Sequence, residues 1–144
     1  MKIRFNGAAR TVTGSQYLLT INNHLMLLEC GMYQGKRAET YARNRSFSFN
    51  IRDLEAVVLS HAHIDHSGNL PNLVKQGYHG PIFATRGTAA LADLMLRDSG
   101  HIQESDAEFV NKKRAKEGLD PIEPLYTSDD AAQVTPLFRA REYH

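Results

Sequence analysis

The chain has 144 residues, enough for one domain with a buried core, and a formal net charge of +1. Its 42% hydrophobic and 23% charged residues exclude a low-complexity or disordered chain, and the near-neutral balance excludes a strong basic excess, though not a local basic surface. The single cysteine, Cys30, excludes an intramolecular disulfide. With no apolar run of membrane-spanning length and no signal-peptide core, the expectation is a cytoplasmic protein without a membrane partner.

Lys2 to Asn6 alternates apolar and polar residues, which predicts a half-buried strand. Gly7 to Ser15 is a loop of small residues carrying Arg10; it either lets a polyanion approach its backbone N–H groups or is a plain connector. Gln16 to Ile21 and His24 to Glu29 predict two strands, joined at Asn22-Asn23 by a two-residue hairpin turn. Gly31 to Asn50 reads as a long polar connection in which Lys36, Arg37, Arg43 and Arg45 alternate with Tyr33, Tyr41, Phe47 and Phe49. Such a segment can track a phosphate backbone, or it is a solvated loop pinned by its aromatics. Ile51 to Leu54 predicts a short helical turn, and the apolar run Ala56 to Leu59 a buried strand.

That strand leads into Ser60-His61-Ala62-His63-Ile64-Asp65-His66-Ser67-Gly68, where three of the seven histidines and a carboxylate fall within six residues. A strand ending in a tight loop gives its side chains a rigid support. His61 and His63, two apart, can share one ion, and Asp65 with His66 can reach a second. Imidazole and carboxylate together suit zinc, with manganese or iron as alternatives. Two such ions can share a hydroxide that is available near neutral pH and attacks a phosphodiester or a carbonyl.

Beyond the cluster, Leu70, Leu73 and Val74 recur at helical spacing, so Gly68 to Gln76 predicts a helix with Pro71 in its first turn and Gly77 past its end. Pro81 to Ala84 predicts a strand. Thr85 or Thr88 can cap a helix to about Asp98 with Leu91, Leu94 and Met95 on its buried stripe. Ser105 with Glu108 forms a capping box for another helix ending at Gly118, with Lys112, Lys113, Arg114 and Lys116 on a basic side, and His101 lying before it. Leu119 to Tyr126 reads as extended and Thr127 to Val134 as a last short helix, with Arg141 to His144 trailing off without a terminating element.

His-x-His-x-Asp-His followed by Ser67-Gly68 resembles the motif of the metallo-β-lactamase superfamily. Gly7 to Ser15, Glu29 to Gly35 and Asp98 to Glu104 resemble segments of its β-CASP branch of RNA-processing nucleases. The resemblance runs from Met1 to about Tyr143. It implies an α/β (α+β) fold, the N-terminal half of an αββα sandwich, with a mixed sheet and flanking helices. Residues 1–144 would then be a partial domain without the later metal motifs or the β-CASP domain. It further implies RNA cleavage by a di-zinc-activated hydroxide, with His61, His63, Asp65 and His66 as metal ligands and Asp65 orienting or deprotonating the water. Glu29 stands where the superfamily usually has an aspartate that holds a ligand histidine from behind. Arg10, Thr13 and Ser15 become the expected substrate contacts. Zinc would be held partially or weakly by four ligands, and a second copy would cover the bare sheet face to give a homodimer. Two alternatives stand beside this reading: a hydrolase of a thioester, lactone or lactam, and a non-catalytic dimerising or RNA-binding fragment.

Overall fold

Asn22 and Asn23 both adopt positive φ, 49° and 68°, the backbone a two-residue turn needs to match the right-handed twist of its strands. They join β2 (Tyr17–Ile21) to β3 (His24–Leu28), and β1 (Lys2–Phe5) pairs antiparallel with the outer side of β2. This is the computed structural model of the chain, and it describes residues 1–142; Tyr143 and His144 lie outside the described residues. From β3 the sheet continues in parallel through β4 (Leu54–Val58), β5 (Ile82–Thr85) and β6 (Phe138–Arg141). The result is one mixed six-stranded sheet in the order β1-β2-β3-β4-β5-β6 with flanking helices, as the α+β expectation required.

The helices are α1 (Arg37–Asn44), α2 (Ile64–Ser67), α3 (Leu70–Lys75), α4 (Arg86–Lys116) and α5 (Ser128–Ala132). The strand register sorts the sheet's side chains into rows. Leu18, Leu27, Val57 and Ile82 stand side by side on successive strands and are all buried. Leu70 and Leu73 of α3, Ala92 and Leu96 of α4, and Tyr126, Ala131 and Val134 complete that core. The opposite face has two rows of its own: Ile3, Leu19, Met26, Ala56, and Phe5, Tyr17, Leu28, Val58, Phe83. At its β1 end nothing among the described residues covers it, and Phe5 and Ile3 are 63% and 48% exposed. The half-buried β1 expected from alternation is therefore exposed along its whole length.

Four other expectations are corrected. The polar connection contains α1, because Asn44 anchors that segment: its side chain accepts from Tyr33 N and donates to Tyr33 O and Thr40 O, each at 2.8 Å. The helix expected over residues 68–76 is two short ones broken at Asn69, whose φ of −101° and ψ of 3° leave the helical range. The two helices expected around Asp98 and Ser105 are one continuous 31-residue helix, α4, so that Ser105 and Glu108 lie in its interior and His101 is exposed mid-helix. Its buried side uses Ala92, Leu96 and Gly100, small residues among them that let neighbours approach, while Leu91 and Leu94 face solvent. Of the segment expected to trail off from Arg141, Arg141 itself ends β6, which pairs with β5 through Phe138 to Arg141, while Tyr143 and His144 lie outside the described residues.

Candidate metal centre

β1, β3 and β4 run parallel to one another, so the loops that follow them meet at one edge of the sheet. Backbone hydrogen bonds weave them together. Glu29 N donates to Val58 O, Cys30 N to His66 O, Met32 N to Ile64 O, and Ser15 N to Asp65 O, all within 2.8–2.9 Å. Gly31 sits at the crossing: a Cβ there would fall 1.7 Å from Asp65 O and 2.8 Å from Ser15 N, so only glycine fits. After β4 the chain turns through Ser60 and Ala62 into α2, with His63 at its N-cap and the Ser67 hydroxyl donating to Ala62 O and His63 O.

This frame gathers the expected residues. The His61 ring lies 4.1 Å from the His66 ring and 4.8 Å from the His63 ring, centroid to centroid. His66 Nε2 is 3.5 Å from Asp65 Oδ2, and His66 Nδ1 is 3.5 Å from Glu29 Oε2. Glu29 is only 4% exposed and adopts a positive φ of 62°, which turns its side chain back under the cluster. Its Oε1 accepts from Ser60 N at 3.0 Å. Its Oε2 and His66 Nδ1 are both buried without a hydrogen-bond partner. Glu29 Oε2 thus lies beside the His66 ring without hydrogen-bonding it, on a left-handed backbone. Ser60 Oγ lies 2.8 Å from His61 Nδ1, which leaves Nε2 of that ring as its free nitrogen.

Glu29, His61 and His66 each offer a ligand atom within 4.8 Å of the others. Two nitrogens, carboxylate oxygens and orphaned buried polar atoms are the donor set a borderline cation such as zinc takes, so the residues fit a metal. His63 is exposed and Asp65 half-buried at the mouth of this group. Cys30, beside Glu29, contributes no chemistry: burial, with the Glu29 charge added, pushes its thiol far above the ordinary range.

The loop after β1 has a different character from the cluster. Ala8, Arg10 and Gly14 take positive φ. Arg10 is exposed, Ser15 is buried, and Thr13 is engaged with Gln34, donating to its O at 3.2 Å and accepting from its N at 3.0 Å. Sequence reasoning missed the buried amide support behind the site. Asn69 and Asn72 donate to Asn44 O at 3.2 and 2.7 Å, tying α1 to α3. No local pattern announces such a contact.

Fold and site together define a mixed α+β sheet that carries an imidazole and carboxylate cluster at the carboxyl ends of its parallel strands. Residues 9–135 match the metallo-β-lactamase superfamily, and the chain belongs to that superfamily, in its β-CASP RNA-processing branch. It is 43% identical over 126 residues to ribonuclease TTHA0252 of Thermus thermophilus, covering 87% of this chain and 28% of the relative. It is 32% identical over 110 residues to the transcription termination factor FttA of Methanocaldococcus jannaschii, covering 76% of this chain and 17% of the relative. Integrator complex subunit 11 of Danio rerio is 30% identical over 135 residues, with 87% and 22% covered. The chain thus spans under a third of the length of these relatives. Among solved structures, a metallo-β-lactamase of Cronobacter sakazakii superposes with a TM-score of 0.44 at 22% identity, over 61% of this chain and 30% of that one.

Proposed function

We propose that this chain carries the metal-binding half of a zinc-dependent ribonuclease site that cleaves RNA phosphodiester bonds. The observation that supports it is the buried Glu29 carboxylate set against Nδ1 of His66, with Asp65 on the opposite ring nitrogen. By holding the proton on Nδ1, Glu29 leaves Nε2 as a lone-pair donor on the side of Asp65, His61 and His63. Those four side chains would hold the metal, which when bound lowers the pKa of water from about 15.7 towards 7 and so supplies a nucleophile at neutral pH. Asp65 orients the water or accepts its proton, and the loop carrying Arg10, Thr13 and Ser15 contacts the substrate. The test is zinc uptake by equilibrium dialysis together with cleavage of labelled RNA. We expect weak zinc binding that His61→Ala and His66→Ala abolish, and cleavage stopped by chelator and by Asp65→Asn. Cleavage that persists in chelator, or a chain that takes up no zinc, refutes the proposal.

The uncovered sheet face supports a second element of the reading, a homodimer in which another copy packs on the Phe5 and Ile3 rows. Sedimentation velocity is expected to show a dimer that Phe5→Lys converts to monomer; a stable monomer at high concentration counts against it. No helix among the described residues is long and apolar enough to cross a membrane. A buried, protonated thiol suits the cytoplasm, which we propose as its location.

A further inference from the structure

Next to the candidate metal centre lies a cavity of about 330 Å³, lined mostly by hydroxyls and amides. Its wall includes Asn6, Thr11, Gln16, Arg43, Ser46 and Ser48. It adjoins the cluster through one stretch of chain: Gly14 and Gln16 line the cavity, while Ser15 between them donates its N–H to Asp65 O and Gln16 Nε2 donates to Gly31 O. Among the described residues that line it, Arg43 carries the only charge, and none is a carboxylate. The Arg43 guanidinium lies over the Tyr33 ring, 4.2 Å from its centroid, and has no acidic partner among the described residues. Glu39 accepts from the far end of that ring, the Tyr33 hydroxyl, and does not line the cavity. Asn6 accepts from the Ser48 hydroxyl at 3.0 Å, and its Nδ2 is buried without an acceptor.

We infer that this cavity is an anion subsite that takes one backbone phosphate of a single-stranded RNA next to the bond being cleaved. A guanidinium held over an aromatic ring keeps its fork of donors preorganised, the geometry that phosphate oxygens match. One uncompensated cation balances the single charge of a phosphodiester, and neutral hydroxyls and amides supply the remaining donors. An oxygen reaching Asn6 would also offset the cost of burying that amide unpaired. The assignment to RNA rests on the ribonuclease reading above; the anion site itself rests on the cavity alone.

The test uses the whole chain in excess chelator, so that binding is read without metal or turnover. The probe is a fluorescein-labelled uridine decamer followed by fluorescence anisotropy across a salt series. Arg43→Gln is expected to weaken binding about tenfold by removing a charged hydrogen-bonding partner, and to lower the slope of log affinity against log salt by about 0.7. Arg43→Lys retains the slope. Ser46→Glu, at an exposed position on the cavity wall, weakens binding at least as much by placing an anion there. Decamer affinity unchanged in Arg43→Gln and Ser46→Glu, together with no shift of the cavity amides by inorganic phosphate, overturns the subsite, as does an Arg43→Gln loss with an unaltered salt slope, which marks a structural effect. Inorganic phosphate that shifts the amide resonances of Asn6, Ser46 and Ser48, while the variants bind RNA normally, overturns the assignment to RNA. Binding that follows these expectations in a chain that takes up no zinc sinks the nuclease reading and leaves the subsite standing.

Discussion

Glu29→Gln isolates the one contact on which the proposed metal chemistry turns. The amide is the same size and its oxygen still accepts from Ser60 N, the 3.0 Å bond that Oε1 makes now. What changes is the atom facing His66 Nδ1 at 3.5 Å, where an acceptor becomes an NH₂ donor. Two donors cannot face each other across a buried contact, so the imidazole proton moves to Nε2, the nitrogen beside Asp65, and that nitrogen loses its lone pair for a metal. Stability should change by less than about 1 kcal/mol, since no buried hydrogen bond is lost. Zinc affinity should fall about 10–100-fold, equivalent to about 1.4–2.7 kcal/mol. Glu29→Ala separates the two effects, because it strands Ser60 N–H and should cost about 1–3 kcal/mol of stability as well. The assays are zinc competition against a fluorescent chelator, urea unfolding of the metal-free chain, and ¹⁵N chemical shifts of the His66 ring. A Glu29→Gln chain that folds normally, binds zinc as the parent does and keeps the proton on Nδ1 refutes the reasoning.

Two glycines of α4 make opposite predictions for the same substitution. Gly87 has nothing within 4 Å of a built Cβ, so Gly87→Ala should stabilise by about 0.5–1 kcal/mol through helix propensity. Gly100 would place its Cβ 2.6 Å from Ser128 N and from Thr127 C, backbone atoms that cannot swing away. There the overpacking cost, about 1–3 kcal/mol, outweighs the propensity gain, and thermal unfolding should show Gly100→Ala below the parent and Gly87→Ala above it. Both variants rising together would contradict the packing argument. The third prediction concerns acid. Asp130 is partly buried, which pushes its carboxyl up, but the Thr127 N–H, at 2.9 Å, and the Lys75 ammonium, at 3.1 Å, outweigh that and hold it below its ordinary value. A lowered folded-state pKa means stability present above the unfolded value, about 3.9, and lost as pH falls through the folded one. Asp130→Asn should therefore lower urea midpoints at pH 6 and flatten their decline in acid; equal losses at every pH would rule out that linkage.

Much of the fold was legible because its signals are local. Asn22-Asn23 tolerate the positive φ the hairpin needs, and Thr127 with Asp130 caps α5 through bonds three residues apart. The cluster from His61 to His66 lies within six residues, so its spacing alone suggests a metal site. What escaped the sequence depends on partners far away along the chain. Residues 37–44 become α1 because Asn44 finds Tyr33, Asn69 and Asn72, and β6 forms because β5 offers it an open edge.

The same division runs through the site. The donor types and their spacing were written in the sequence, since each donor's chemistry belongs to its own side chain. The tertiary structure alone decided that Glu29 lies beside the His66 ring, that Gly31 lets two loops cross against Asp65, and that a guanidinium with no acidic partner among the described residues borders a polar cavity one strand of loop away. It also decided that Leu91 and Leu94 face solvent while Gly100 is buried, because helix periodicity marks a stripe but only packing against the 127–128 backbone chooses which side is pressed inward.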